Sequence, residues 1–232
     1  MSFITSPGVI VPPLTAGGVA YGTGGQAKVN SAGTAGQFLQ SAGAGVPVWA
    51  TLATPTSGAT LLSTVTASNS ATVDIETTFN STYDQYMLIG TDINTQPTGN
   101  ESLTCRLKIG GSYIANATYF YHNDVSNSSS VLYIGAASSL GGVNRISITP
   151  DMGATAGDSM SFVMFVHGPA NTTFSKFVEW VGRFRNAGDN YAKAYGQGGN
   201  TGTGALTGVR FLTASGSVIT SGKFRLYGLA NS

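Results

Sequence analysis

From about residue 56 onward the chain alternates. Short runs in which apolar and polar residues take turns are separated by Gly, Asn, Ser and Thr. A period of two places successive side chains on opposite faces of a strand. The runs predict strands over 60–67, 71–77, 85–93, 103–109, 113–121, 131–134, 143–149, 160–167, 174–184, 191–195, 209–213 and 223–229. Turn signals lie between them, among them Gly110-Gly111, Gly141-Gly142, Pro150-Asp151, Gly168-Pro169 and Asn186-Ala187-Gly188-Asp189. No stretch holds a 3.6-residue period with capping residues. The expectation is an all-β domain over 56–232, a jelly-roll-like β-sandwich.

The same alternation assigns faces. Leu103, Cys105, Leu107 and Ile109 fall on one side of their strand, which makes the only cysteine a buried structural thiol. In 174–184, Phe174, Val178, Trp180, Gly182 and Phe184 share the inward face, and Glu179, Arg183 and Arg185 the outward one. Phe224 and Leu226 alternate with Lys223 and Arg225. The run 160–167 is almost wholly apolar. It reads as a strand covered on both faces, in the middle of the sandwich or at a subunit interface.

Residues 1–55 form a different block. Five of the eight prolines lie there, Gly and Ala are dense, and Lys28 is the only charge before Asp74. Such a segment cannot bury enough side chain to offset its own ordering entropy. It is either a flexible linker or an extended arm that orders against other copies or a neighbouring protein. Phe38, Leu39, Val46, Val48 and Trp49 favour the arm and are its candidate anchoring and trimer contacts.

Composition narrows the function classes. Charged residues make up 9% of the 232, aromatics 10%, and Gly accounts for 32, roughly twice the usual share. The aromatics exclude simple disorder, and sparse charge excludes a coiled coil. A net charge of +1 excludes a general nucleic-acid binder. No run of about 18 apolar residues exists, so no spanning helix is expected. The N-terminus has no basic region before its apolar stretch, which Pro7, Pro12 and Pro13 interrupt, so it does not read as a signal peptide. A chain made in the cytoplasm with the composition of an extracellular β protein fits a virion component.

Catalytic signatures are missing. His122 and His167 are the only histidines, and no Gly-x-Ser-x-Gly motif accompanies them. Of the carboxylates, only Asp74 and Glu76 share a strand face by spacing. A glycosidase needs such a pair free to act on a sugar. Gly22-Thr23-Gly24-Gly25-Gln26-Ala27 follows no buried strand and is not a dinucleotide loop. The expectation is a protein that is not an enzyme and has no metal or cofactor.

Ligand chemistry is carried by tyrosines beside polar side chains. Tyr113, Tyr119, Tyr121 and His122 flank a polar loop, Asn123–Ser130, that offers Asn123 and Asp124. Tyr191 and Tyr195 flank a second, Gly196–Asn200, that offers Gln197. Ring stacking plus polar hydrogen bonds suits a sugar. Charge is uneven: four basic and eight acidic residues lie in 1–175, seven basic and two acidic in 176–232. This reads as a weak patch for an anionic glycan, or as solvated strand faces and ion pairs with the acidic part.

Three stretches carry a resemblance. Gly33-Thr34-Ala35-Gly36-Gln37-Phe38-Leu39-Gln40-Ser41-Ala42-Gly43, continued by Pro47 and Trp49, resembles an element of bacteriophage tail-fibre and other virion fibre proteins. Tyr83–Ile89 with Leu103–Tyr113, and the close Ser221–Leu229, resemble the opening and the last strand of their distal β domains. The resemblance implies a homotrimeric virion fibre or adhesin. Its N-terminal arm would attach to another virion protein and its β domain would contact host-surface polysaccharide. The chain is short for a whole tail fibre and shows no helical shaft. That keeps a head fibre or capsid decoration protein as the alternative, with a free carbohydrate-binding module as a third.

Overall fold

A computed structural model describes residues 3–4, 10–11, 16–22, 24, 26–52, 58–76, 79–95, 101–128, 130–133, 143–153, 155 and 157–231, with backbone alone for 3–4, 10–11 and 130–133. The ends of two strands expected from the sequence, residues 77 and 134, lie outside this set. The chain divides into two compact units, Met1–Thr56 and Ser57–Ser232.

The first unit is built from three small antiparallel ladders. β1 (Phe3–Ile4) pairs with β2 (Ile10–Val11), β3 (Ala20–Gly22) with β4 (Ala27–Val29), and β5 (Gln37–Gln40) with β6 (Val48–Thr51). Among its described residues, the block that composition marks as a linker or an arm therefore holds three short antiparallel pairs. The third explains its own sequence. Gln37 accepts from the Thr34 amide through Oε1 at 2.8 Å and donates its own amide to the Thr34 carbonyl at 3.1 Å, closing the turn. Gly36 sits at φ +87°, where a side chain is strained. Trp49 donates from Nε1 to the Ser31 carbonyl at 2.7 Å and lies on Gly33, where a Cβ would stand 2.6 Å from the ring. Gly33→Val is therefore expected to lift Trp49 into water, read as a red shift of its fluorescence in a Trp180→Phe background; an unmoved spectrum would show that the ring does not need the glycine. Phe38, Leu39, Val46 and Val48 remain exposed within this unit.

The second unit is an all-β sandwich. Its strands are β7 (Ala59–Ser70), β8 (Val73–Glu76), β9 (Gln85–Thr95), β10 (Leu103–Ile109), β11 (Ser112–Tyr113), β12 (Tyr119–Asn127), β13 (Ser130–Tyr133), β14 (Ile146–Ser147), β15 (Met160–His167), β16 (Lys176–Arg185), β17 (Tyr191–Asn200), β18 (Leu206–Thr213) and β19 (Ile219–Leu229). One sheet has eight strands in the order β13-β12-β17-β16-β15-β9-β19-β7. The other has five: β11-β10-β18-β8, with β14 also on β10. From β7 to β12 and from β17 to β19 the chain repeatedly crosses between sheets, as in a jelly roll; β15, β16 and β17 instead form a meander of hairpins.

The core lies between the sheets. Phe162, Phe211 and Phe224 stack across the gap, with centroids 5.2 Å apart for Phe162 and Phe211 and 5.0 Å for Phe211 and Phe224. Cys105 is buried there as a free thiol, and burial pushes its pKa up. Trp180 is buried and donates from Nε1 to the Ile148 carbonyl at 2.9 Å. Glu101, also buried, accepts from the amides of Ser102 (3.0 Å), Ala214 (2.9 Å) and Ser215 (3.2 Å) and from the hydroxyls of Ser215 and Ser217.

One face assignment differs from the sequence reading, and for β15 the structure departs from one of its two alternatives, the strand covered on both faces inside the sandwich. Phe174 is 68% exposed because the strand starts only at Lys176, leaving Phe174 in the preceding turn. In β15, Met160, Phe162, Met164 and Val166 are buried. The other face, with Ser161, Val163, Phe165 and His167, is exposed or half-buried within this unit, although the strand is central in its sheet.

Candidate functional site

Most of the two stretches read as polar loops is strand: Asn123–Asn127 belongs to β12 and Gly196–Asn200 to β17. β12 and β17 pair along their length, with His122 opposite Gln197, Asp124 opposite Tyr195, and Ser126 opposite Lys193. Directly opposed residues share a face. The register therefore gathers His122, Asp124, Tyr191, Tyr195 and Gln197 on the outer face of the large sheet. Tyr191 is 78% and Tyr195 56% exposed. His122 Nε2 lies 3.1 Å from Asp124 Oδ1. β16 continues the surface, placing Glu179 opposite Gln197, Val181 opposite Tyr195, and Arg183 opposite Lys193. Strand geometry rather than loop geometry sets this array, so its rings and polar groups stand at fixed spacings.

One end of the face is concave. A groove of about 340 Å³ is bordered by Ser159, Ser161, Arg183, Arg185 and Tyr191. Arg185 is held by Asp158 (3.4 Å) and Asp189 (3.2 Å). Asp158 is buried. Desolvation raises its pKa, but Thr155, donating from its amide at 2.9 Å and its hydroxyl at 2.7 Å, and Arg185 more than reverse this and leave it lowered. Arg183 and Lys193 have no carboxylate within 4 Å among the described residues. Like charges opposed across strands are unfavourable, and a bound anion would relieve them.

The remaining sequence candidates go elsewhere. Tyr119 is buried; its hydroxyl accepts from the Leu107 amide at 2.8 Å and donates to the Ile114 carbonyl at 3.1 Å. Asn123 is buried and donates to the Ile148 carbonyl at 3.2 Å. Both are core residues instead of ligand contacts. Tyr113 belongs to the outer face of the small sheet, with the Arg210 guanidinium 4.0 Å from its ring centre. On that face Arg210 grips Asp74 in two bonds of 2.7 and 2.6 Å, and Lys108 meets Glu76 at 3.1 Å. The Tyr113 hydroxyl and Lys108 hold the Glu76 pKa below its usual value. The two carboxylates that share a face are thus each committed to a cation. Tyr121 points away from the others, into a separate cleft.

Val181 is absent from the sequence candidates for this face, and Lys193 and Arg183, which count there in the basic patch, are not grouped with the tyrosines. The predicted strand over 191–195 already carries the step of two, Tyr191, Lys193 and Tyr195, that puts Lys193 on this face. Among the described residues no cluster of three or more His, Cys, Asp or Glu could hold a metal, and no helix is long and apolar enough to cross a membrane.

No family model and no curated protein matches the chain. Solved structures give distant likenesses. The CBM2 module of Lactobacillus casei BL23 phage J-1 evolved Dit aligns at 7% identity with a TM-score of 0.21, covering 69% of this chain and 70% of that one. A protein of unknown function from Shewanella oneidensis MR-1 aligns at 6% and 0.21, covering 76% and 78%. Likenesses this distant carry no argument about function.

Proposed function

We propose that the chain is a non-enzymatic structural protein of a bacteriophage virion, a homotrimeric fibre or adhesin. Residues 1–55 anchor it to another virion protein, and the sandwich meets a host-surface glycan. The observation that carries the glycan reading is the outer face of β12 and β17. Two exposed tyrosines stand there beside Gln197, His122, Asp124 and Lys193 on a rigid sheet, supplying flat rings and hydrogen-bonding groups together. The exposed Phe38, Leu39, Val46 and Val48 support the anchoring role, since a two-stranded hairpin alone is marginal in water. The pairing of Asp74 and Glu76 with cations supports a binding role over a hydrolytic one.

Replacing Tyr191 and Tyr195 together by Ala is expected to lower adsorption to host cells at least tenfold with the fold unchanged by circular dichroism. Each lost stacking contact is worth about 1 kcal/mol or more. Adsorption equal to the parent would overturn the glycan reading. Light scattering of the chain with and without residues 1–56 tests the trimer: a trimer that weakens on removal supports it. A monomer both ways overturns it and leaves a decoration protein whose arm orders only on the capsid.

A further inference from the structure

Tyr121 opens into a cleft of about 670 Å³ that the outer tyrosine face does not share. Its walls are small where Ala115, Ala117 and Ala214 line it, and polar where Ser147 and Arg145 do. Arg145 is held in a set direction. Its Nη1 donates to the carbonyls of Thr213 (3.3 Å) and Ala214 (3.0 Å), and its Nε to Asn144 Oδ1 at 3.0 Å. Nη2 makes no hydrogen bond among the described residues, so a charged donor remains for a ligand. A second guanidinium, Arg106, reaches the same asparagine, donating from Nε to the Asn144 carbonyl at 3.0 Å. Among the described residues the cleft lining contains no carboxylate. Glu101 lies next to Ser102 and Ala214 in the structure, but its oxygens are taken by five donors. The local balance is positive.

We infer that this cleft is a second carbohydrate subsite and takes an acidic sugar, a pyranose bearing a carboxylate that meets Arg145 beside Tyr121. The inference rests on the glycan reading and adds to it the charge of the sugar and a place for it. The volume exceeds what a bare inorganic anion fills and falls in the range of small-ligand sites. An oriented guanidinium with spare donors suits a carboxylate, through a charge-assisted hydrogen bond stronger than any a neutral hydroxyl offers. The alanine walls leave room for the ring, and the Tyr121 and Ser147 hydroxyls supply polar partners for its own.

The test is calorimetry on the full chain at low salt with three probes: trigalacturonate, neutral maltotriose, and inorganic phosphate. Trigalacturonate is expected to bind at least tenfold tighter than the other two and to weaken as salt is raised. Arg145→Gln is expected to weaken it at least tenfold. Because Arg145 also ties down neighbouring carbonyls, Ala117→Trp serves as an independent variant. Ala117 is exposed, so the bulky ring fills the cleft without entering the core, and it too is expected to weaken binding at least tenfold. Maltotriose binding as well as trigalacturonate, phosphate binding as well as trigalacturonate, or affinity that ignores both substitutions would each overturn the inference. If any of these occurs while Tyr191 and Tyr195 still govern adsorption, the acidic subsite falls and the glycan reading stands. If adsorption ignores those tyrosines as well, both fall.

Discussion

Trp180→Ala is expected to lower the stability of the sandwich by about 4 kcal/mol, the range for removing a large aromatic from a core. Two losses combine. The ring is almost wholly buried, and its Nε1 donates to the Ile148 carbonyl at 2.9 Å, which would be left without that donor. Relaxation around the hole is limited because β17 already lies tight against the ring. At Gly196 even a Cβ would run into it. The melting temperature of the second unit should fall by roughly 10 °C, followed by circular dichroism. Trp180→Phe should recover much of the packing but not the hydrogen bond. A drop in stability under about 1 kcal/mol for the alanine variant would show that the ring does not key the two sheets together.

Glu101→Ala is expected to cost about 3 kcal/mol, from leaving buried donors without their acceptor. The amides of Ser102, Ala214 and Ser215 and two serine hydroxyls converge on this carboxylate, joining the start of β10 to the turn after β18. Burial by itself raises the Glu101 pKa; the hydrogen bonds from Ser215, Ser217 and the backbone outweigh it, and the net shift is downward. A carboxylate lowered in the folded state contributes stability that is complete above its unfolded value, about 4.3 for glutamate, and is lost as pH falls through the folded value. Asp158 and Glu76 are shifted in the same direction and add to the acid sensitivity. Denaturant unfolding should therefore show stability falling below about pH 4.3, with a shallower fall in Glu101→Gln. Identical pH profiles for parent and variant would show that Glu101 does not carry its share.

Most strands were legible because their side chains alternate. Leu103 to Ile109 and Met160 to His167 were read with the bounds they have. Legibility failed where backbone approaches a ring or another backbone. Asn123, Gly196, Gly198 and Gly199 have low strand propensity and so read as loop. The three glycines are in the strand because Trp180, Tyr121 and the Lys176 carbonyl occupy the space a side chain would need, and Asn123 is there because its side chain donates to the Ile148 carbonyl. A strand whose inward positions are glycines hides its own period. That error carried into the site. The sequence singles out the tyrosines as a group, but only pairing in register separates the outward Tyr195 from the buried Tyr119. Arg145 and Asn144 were invisible as binding residues because nothing local to 143–147 signals that Thr213 and Ala214 lie against them. The outer face of β15 is legible as apolar at Val163 and Phe165, but hydrophobicity alone does not encode what packs over it.

The position of β19 has a kinetic consequence. It lies between β7 and β9, pairing Leu229 with Ala59 on one side and with Gln85 on the other. The strands it joins are made early in synthesis, and it is made last among the strands of the unit. Until it leaves the ribosome, β7 and β9 each present a bare hydrogen-bonding edge where β19 belongs. The meander β15-β16-β17 closes through local hairpins and can assemble first. Completion of the large sheet waits on a closure spanning the whole unit, which is slow because long-range pairing must overcome loop entropy before any contact rewards it. A nascent chain stalled short of Ile219 would thus carry the edges through which β proteins join the wrong neighbour.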